Sequence, residues 1–321
     1  MSSTAVPGPV GKPRGRRLPA IFRRPGWQGL LFILPAVVLL GALVAYPLVW
    51  TIVYSFGDTN SRLDIVSWVG FDNYERLFTR DRVFLNRDSF PPEGALVNNL
   101  KWALLYTTIS LALGLLIAVL AARVRYESIV KAIIFVPMAI AATAVAIIWK
   151  FVYEPDPDIG AANAVLHGAF NLDPIVFIGR ADTVNYAIIF AYVWASTGFA
   201  MVVLSAALKG IPEEILEAAR TDGANEWHIF RRIQFPLLSL PMAVVTVWLT
   251  INVIKLFDVI YVLSRGGPGN SSEVIATQMF DELFQNGEGG YAAAIAVVML
   301  LLIIPLMIWN ISRFRSERVV T

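Results

Sequence analysis

The sequence predicts an all-α membrane protein with six transmembrane helices. Two observations lead to this prediction, the composition and the length of the apolar runs. Of the 321 residues, 57% are hydrophobic and 16% are charged, whereas about a quarter of the residues in a soluble globular domain are charged. Because about twenty apolar residues are needed to cross the hydrocarbon layer, a run of that length predicts a span. Six runs qualify: 28–56, 98–122, 129–152, 184–208, 238–263 and 290–311.

The segment before the first span, residues 1–26, is rich in Pro, Gly and Arg. This composition predicts a disordered basic tail on the cytoplasmic side. Nucleic-acid binding is the alternative, and it is disfavoured because a basic flank is expected beside a span in any case. The apolar run from Leu30 is too long for a signal-peptide core and has no small-x-small cleavage site, so it is kept as a span. We therefore place a transmembrane domain at 27–312 and a short cytoplasmic tail at 313–321.

Along the chain, the segments outside the spans are alternately rich in basic and in acidic residues. The N-terminal tail, the 123–131 loop, the 209–237 loop and the C-terminal tail hold sixteen of the 26 Lys and Arg residues. The other three loops hold most of the acids. Since Lys and Arg concentrate in cytoplasmic loops, both termini and the 209–237 loop are predicted to be cytoplasmic. On the external side, short helices are expected near Phe71–Tyr74 and Ala161–Phe170.

The cytoplasmic stretch 211–236 has the pattern of two short helices and a bend. Pro212 suits a first helical position, because its missing N–H would be unbonded there anyway. Glu213 and Glu214 follow where a carboxylate meets the positive end of the helix dipole. Gly223 can take the positive φ that ends a helix.

A second short helix is expected after Asn225, which can cap it. This helix carries Trp227 and other apolar residues. Pro236 and Pro241 are expected to bend or interrupt the backbone where it enters the next apolar run. An ordinary cytosolic loop with two amphipathic turns would show much of the same pattern.

Several kinds of chemistry are excluded or disfavoured by the residues themselves. The chain has no cysteine, which excludes thiol catalysis and Cys-based metal sites. It contains no G-x-x-x-x-G-K-[ST], so nucleotide binding by a P-loop is excluded, and no H-E-x-x-H. His167 and His228 are predicted to lie in opposite compartments, which argues against a metal site built on both. We expect no catalytic residues and no metal ligands.

One pair of charges falls within a predicted span. Lys255 and Asp258 are three residues apart, a spacing that places both on one face of a continuous helix. Charges at such depth usually face each other or a cavity. The pair can form a mutual ion pair near the outer end of the helix, or it can line a polar path together with Asn252.

The fourth span carries an aromatic beside small polar residues. Trp194 precedes Ser196, Thr197, Gly198 and Phe199. An aromatic ring can stack on a sugar face while hydroxyls bind its oxygens. The same residue types also suit close helix packing with an aromatic side chain beside small ones. Both interpretations stay open at this point.

A resemblance extends these observations. Glu217-Ala218-Ala219, then Gly223, then Ile233-x-Phe235-Pro236 resembles the EAA loop of ABC importer permeases, which usually have Leu where this chain has Phe235. Phe257–Tyr261, the following Gly266-Gly267-Pro268-Gly269 and Gly290–Ala296 look like the carbohydrate permeases of the maltose-permease-like group. The resemblance covers roughly 28–312 and is strongest to the α-glucoside and glucosylglycerol branch.

The resemblance implies a type I ABC importer permease fold in which the EAA loop forms a coupling helix. It implies a sister permease, two ATPase subunits that bind ATP and Mg, and an extracytoplasmic sugar-binding protein. No cofactor is expected on this chain. The coupling residues it implies are Glu217, Ala218, Ala219, Gly223, Ile233 and Pro236.

For the sugar, the resemblance points to the segment after Trp194 and to Leu249, Val253 and Leu256. Those three positions are apolar here, unlike the asparagine-rich version in the maltose permease, so Asn252 and Lys255 are predicted as substitutes. The expected substrate pathway is Trp194, Ser196, Phe199, Asn252 and Lys255.

Two rival functions are weighed. An ion-coupled secondary transporter would need intramembrane carboxylates or discontinuous helices; the apolar runs hold no paired carboxylates and predict no discontinuous helix. A membrane enzyme or scaffold would need a catalytic cluster, which is not apparent in the sequence.

Overall fold

The computed structural model describes residues 25–60 and 62–317, which fold into fifteen α-helices and one small hairpin. Residues 1–24 and 318–321, which belong to the predicted tails, lie outside the described residues. The helices are α1 (Pro25–Leu40), α2 (Tyr46–Tyr54), α3 (Asp72–Glu75), α4 (Ala95–Ala121), α5 (Glu127–Phe135), α6 (Ala142–Val152), α7 (Ala161–Phe170), α8 (Val184–Lys209), α9 (Glu213–Thr221), α10 (Glu226–Ile229), α11 (Phe235–Leu237), α12 (Ser239–Ile254), α13 (Asp258–Leu263), α14 (Ile275–Phe284) and α15 (Gly289–Glu317).

The chain divides into two compact units, up to Trp50 and from Thr51 onward. Helix α1 lies in the first unit and continues through a π-helical turn, Gly41–Ala45, into α2, within which the division between the units falls. In the second unit, β1 (Gly57–Thr59) pairs antiparallel with β2 (Ile65–Trp68). The sequence did not predict this hairpin, but the two predicted external helices are confirmed as α3 and α7.

Among the described residues, four helices are long and apolar enough to cross a membrane: Leu31–Tyr54, Ala95–Ala121, Val184–Lys209 and Gly289–Asn310. Two bent pairs bring the number of spans to six if each pair counts as one. The pair Glu127–Ala139 and Ala142–Val152 bends by 100°, and the pair Glu226–Leu237 and Ser239–Ile254 bends by 64°.

The prediction of six unbroken helices is therefore wrong for the third and fifth apolar runs. In the third run the α-helix ends at Phe135 and a 3₁₀ turn, Val136–Ala139, follows. Pro137 lies in that turn, and proline in a helix removes a backbone hydrogen bond and clashes with the preceding turn. Ile140 then adopts an extended conformation before α6 begins. The fifth run contains a second break at Lys255–Phe257, described below.

The core of the second unit is built on the close packing of α4 against α8. One face of α4 is buried at every fourth residue, and small residues there let the two backbones approach. A Cβ atom at Gly114 would lie 2.5 Å from the Ala200 Cβ. The buried face carries Trp102, Tyr106, Ser110, Gly114 and Ala118, while Leu100, Leu104, Leu116 and Leu120 are exposed. Large apolar side chains thus point outward, which is typical of a helix surrounded by lipid.

We predict that Gly114→Ala destabilises the protein by about 1–3 kcal/mol, since the added methyl has no space between α4 and α8. Thermal unfolding in detergent measures the effect. Gly168→Ala in α7 is the matched control, because its Cβ would meet nothing within 4 Å and the substitution favours the helix. Equal melting temperatures for the two variants would contradict the close packing.

Candidate coupling loop and solute pathway

The first short helix of the 211–236 loop is α9, and its ends are those predicted from the sequence with one correction. Pro212 is the residue before the helix, with ψ 131°, and is not its first helical residue. Glu213 and Glu214 occupy the first turn. At the other end Gly223 has φ +83°, and the N–H of Ala224 donates to the Ala219 carbonyl at 3.0 Å.

Helix α9 buries one side chain and exposes the predicted coupling residues. Leu216 is only 7% exposed, whereas Glu217 and Ala218 are exposed and Ala219 is half-buried. A Cβ at Gly223 would meet nothing within 4 Å. The face with Glu217, Ala218 and Gly223 is therefore open within this chain.

The second short helix, α10, begins at the predicted cap. The Asn225 Oδ1 accepts a hydrogen bond from the His228 N–H at 2.9 Å. A π-helical turn, Phe230–Gln234, then leads into α11 and the 64° bend. The bend falls between Pro236 and Pro241, as predicted; Ile233 is half-buried and Pro236 is exposed.

Ion pairs join the two short helices to the loop between the second and third spans. The Arg220 guanidinium donates from Nε to Glu226 at 3.1 Å and from Nη1 to Glu213 at 3.3 Å. The other oxygen of Glu226 accepts from Arg123 Nη2 at 3.4 Å. Exposed ion pairs contribute little to stability, so these contacts show only that α9, α10 and the 123–131 loop lie side by side.

The fifth apolar run, which carries two of the predicted pathway residues, is interrupted beside Lys255. Helix α12 ends at Ile254 and α13 begins at Asp258, and Phe257 lies between them with φ −134° and ψ −63°. The prediction that Lys255 and Asp258 share one face of a continuous helix is therefore wrong. No ion pair within 4 Å joins them in the part of the chain that the structure describes.

The break opens a polar pocket of about 280 Å³. It brings together the two predicted residues Asn252 and Lys255 with Asp258. The Asn252 Nδ2 donates to the Trp248 carbonyl of its own helix at 2.8 Å. Sequence reasoning missed Tyr192, because a single aromatic residue in an apolar run gives no periodic signal of its own. The lining residues are Ala142, Tyr192, Asn252, Lys255, Leu256, Phe257, Asp258 and Val259.

The other predicted pathway residues do not line this pocket. Trp194 contacts Trp149 edge-to-face with ring centroids 5.7 Å apart, and Phe199 stacks on Trp248 at 3.9 Å. Ser196 is buried. Their place on a solute path stays a prediction.

Neighbouring contacts in the same stretch of α8 are helix packing. The Thr197 hydroxyl donates to the Val193 carbonyl at 2.7 Å, and a Cβ at Gly198 would lie 2.6 Å from the Ile134 carbonyl oxygen. The positions implied by the family resemblance, Leu249, Val253 and Leu256, are buried in the hydrophobic core at 0–3% exposure.

Three buried asparagines, which sequence reasoning also missed, hold the break and the loop 264–274 that follows α13. Asn98, Asn99 and Asn185 are 2–7% exposed. Asn98 donates to the carbonyls of Ser271 and Glu273 at 2.9 and 2.8 Å. Asn185 donates to the Ser271 carbonyl at 2.6 Å and accepts from the Trp102 indole at 3.3 Å. In the sequence, the signal that could have identified them was an asparagine inside or beside an apolar run.

A buried carboxyl group lies in the same loop. Glu273 is 3% exposed, accepts a hydrogen bond from the Thr277 hydroxyl, and lies against Gly266, where a Cβ would come within 1.7 Å of its Oε2. Gly266 also has φ +77°, so glycine is required there for two reasons. Burial raises the pKa of Glu273 from about 4.5 to about 7.

Comparison with known proteins identifies the family that has this architecture. Residues 110–311 match the model of the family described as "Binding-protein-dependent transport system inner membrane component". The chain belongs to this family. It is a multi-pass membrane protein and a permease component of a transport system.

Relatives support the same assignment over nearly the whole chain. The osmoprotective compounds uptake permease protein GgtC of Synechocystis sp. is 42% identical over 291 residues, covering 89% of this chain and 99% of the relative. The alpha-glucoside transport system permease protein AglF of Rhizobium meliloti is 38% identical over 295 residues, covering 89% and 82%. Both are sugar-type or osmolyte permeases by name.

A solved structure shows the same fold. A chain of a bacterial ABC transporter involved in the import of the acidic polysaccharide alginate superimposes with a TM-score of 0.76 at 21% identity, covering 92% of this chain and 96% of that one. The predicted type I ABC importer permease fold is thereby confirmed.

We predict that stability falls as pH rises from about 4.5 to about 7, by about 3 kcal/mol from Glu273 alone. The folded state binds this proton more tightly than the unfolded state, so its contribution is full below the unfolded pKa and is lost as the pH rises through the folded pKa of about 7. Glu273→Gln should remove that slope in thermal unfolding scans at a series of pH values. Asp173→Asn, an exposed external acid, is the control. If Glu273→Gln keeps the wild-type pH profile, the burial of this carboxyl is not what sets it.

Proposed function

We propose that this chain is one of two permease subunits of an ATP-driven importer for an oligosaccharide or glucoside of the maltose, trehalose or α-glucoside type. The observation that carries the proposal is the open face of α9. Glu217, Ala218 and Gly223 are uncovered in this chain, yet the helix that presents them is closed at its C-terminal end by backbone hydrogen bonds and makes ion pairs through Arg220. A preformed exposed helix with small residues suits a partner that must approach its backbone closely.

The remaining subunits are those that the family resemblance implies. With no P-loop in the sequence, ATP and Mg would be bound by two separate ATPase subunits, and hydrolysis would take place there. A sister permease would form the other half of the pathway, and an extracytoplasmic binding protein would deliver the sugar. Both termini and the 211–236 loop would face the cytoplasm, in line with the distribution of Lys and Arg.

Movement would enter through α9. When the ATPases close, they would push on Glu217 and its neighbours, with Glu217 pairing to a basic residue of the ATPase. The ion pairs from Arg220 to Glu226 and from Glu226 to Arg123 reach the loop between the second and third spans. The push would then be shared with those spans and with α12 beyond the 64° bend.

An ion-coupled secondary transporter of a small polar solute is the second candidate. The break at Lys255–Phe257 favours it, because such transporters bind solutes at discontinuous helices. The family membership and the exposed α9 favour the ATP-driven importer. Uptake that vanadate blocks and an uncoupler leaves intact would support the importer; the opposite pattern would support the secondary transporter.

We predict that Gly223→Asp abolishes sugar uptake and ATPase coupling while membrane insertion stays at the wild-type level. The side chain has open space within this chain, and Asp tolerates positive φ better than most residues. The loss would therefore arise at the partner, where added bulk and charge prevent close approach. The measurements are uptake in proteoliposomes and co-purification of the ATPase.

Gly70→Asp is the matched control, since Gly70 also has positive φ and nothing within 4 Å of its Cβ, but lies in the first external loop. Both variants should insert equally, and only Gly223→Asp should lose transport. Normal uptake and coupling in Gly223→Asp would refute the docking role of α9.

A further inference from the structure

We propose that an apolar groove between α6, α7 and α8 binds a phospholipid of the surrounding membrane, with an acyl chain in the groove and the headgroup phosphate at Lys150. The groove has a volume of about 770 Å³, within the range of roughly 300–1,000 Å³ that is usual for ligand pockets. It shares no lining residue with the polar pocket at the break or with the cavity beside the coupling loop. The inference does not depend on which solute the protein carries.

The first argument is the chemistry and the location of the groove. Among its lining residues, Thr183 is the one that is neither aliphatic nor aromatic. Two of its walls, α6 and α8, belong to candidate spans. Tyr186 and Phe190 line the groove from α8 and are 61% and 62% exposed. Large apolar side chains exposed on a span are typical of contact with lipid, and hydrocarbon is the medium beside a span.

The second argument is that hydrogen bonds hold all three walls in place. Asn163 of α7 is fully buried. Its Nδ2 donates to the Glu154 and Ile175 carbonyls at 2.9 and 3.0 Å, and its Oδ1 accepts from the Ile175 N–H at 2.8 Å. The Tyr153 hydroxyl donates to the Ala187 carbonyl at 2.8 Å and so joins the end of α6 to α8. The space between the helices is therefore a built feature rather than loose packing.

The third argument is the order of charges beside the groove. Lys150 lies in the last turn of α6, follows the lining residue Trp149 and is exposed. Glu154 comes four residues later, beyond the end of the helix, and Asp156 and Asp158 follow it. Within residues 25–60 and 62–317, neither Lys150 nor Glu154 makes an ion pair within 4 Å. A cation inside the span and carboxylates beyond it match a headgroup whose phosphate lies deeper than its amine.

Phosphatidylethanolamine has this order of charges. Its phosphate accepts charge-assisted hydrogen bonds from an ammonium, and its primary amine donates them to carboxylates. Phosphatidylglycerol has no amine and would bring only negative charge to the acidic segment after α6. Phosphatidylcholine has a quaternary ammonium, which donates no N–H hydrogen bond. Apolar side chains of another subunit are the alternative occupant, and they would leave Lys150 and Glu154 without partners.

Lipid binding to the purified transporter tests the proposal. The full-length chain, together with the subunits that co-purify with it, is delipidated in detergent and titrated with one phospholipid at a time, and bound lipid is counted by native mass spectrometry. We expect phosphatidylethanolamine to bind several-fold more tightly than phosphatidylglycerol or phosphatidylcholine. Equal binding of the three would overturn the headgroup assignment.

Two variants on α7 assign the binding to the groove. Ala161 lines the groove and is exposed, so Ala161→Trp should fill part of the space and weaken phosphatidylethanolamine binding several-fold. Ala164→Trp is the matched control, because Ala164 is equally exposed on the same helix and does not line the groove. Equal lipid binding by the two variants would overturn the site.

A variant outside the groove avoids any effect of bulk on folding. Lys150→Gln should weaken phosphatidylethanolamine binding by roughly tenfold, since it removes a hydrogen bond to a charged group, and Lys150→Arg should retain most of the binding. Wild-type affinity in Lys150→Gln would show that the phosphate does not lie at this residue.

Photo-crosslinking identifies the occupant in the membrane. A photo-crosslinking amino acid replaces Tyr186, or Leu104 of α4 as a control that is also 61% exposed, in proteoliposomes of the three phospholipids in equal amounts. Adducts at position 186 should be enriched in phosphatidylethanolamine over those at position 104. A crosslink to another subunit as the main product at position 186 would overturn the proposal, and so would adducts of the same composition at both positions. None of these measurements uses transport, so their failure would leave the proposed function unchanged.

Discussion

The architecture around the break in the fifth apolar run depends on one constraint, the need to satisfy backbone polar groups where a helix is interrupted within a span. Hydrocarbon offers no hydrogen-bond partners, so a break survives only where other parts of the protein supply them. At Ile254 the Asn99 amide does so from α4, reaching both the Val253 carbonyl and the Ile275 N–H. Asn98 and Asn185 extend the same arrangement to the carbonyls of the following loop. The polar pocket exists because these amides make the interruption stable.

The same constraint explains which features the sequence could predict. Span positions, the two external helices and the caps of the coupling loop depend on composition and on residues within a few positions of one another. They were therefore visible from the sequence, including the Asn225 cap and the positive φ at Gly223. The break at Lys255 is different, because its supporting donor lies 154 residues away in the chain. No local pattern around Lys255 could reveal it.

Other wrong or incomplete predictions concern residues whose sequence pattern fitted two structures equally well. Pro137 could have indicated the 100° bend in the third run, yet prolines also occur in straight transmembrane helices. For Ser196 and Phe199 the sequence left packing and solute contact equally open. The structure gives each a packing environment, buried for Ser196 and stacked on Trp248 for Phe199, and their part in transport remains a prediction. Tyr192 lines the pocket because α8 packs beside the broken segment. This is a tertiary contact, which a local sequence pattern does not show.

The open face of α9 has a consequence for how such a subunit evolves. Glu217 and Ala218 are not held in place by packing in their own chain, whereas Gly223 is constrained by its φ of +83°. If α9 docks on a partner as proposed, substitutions of Glu217 or Ala218 would be constrained by the fit to that polypeptide rather than by folding, and a matching change in the partner would compensate them. Subunits from different importers should therefore be interchangeable where this small surface matches, even when the solute-binding parts have diverged.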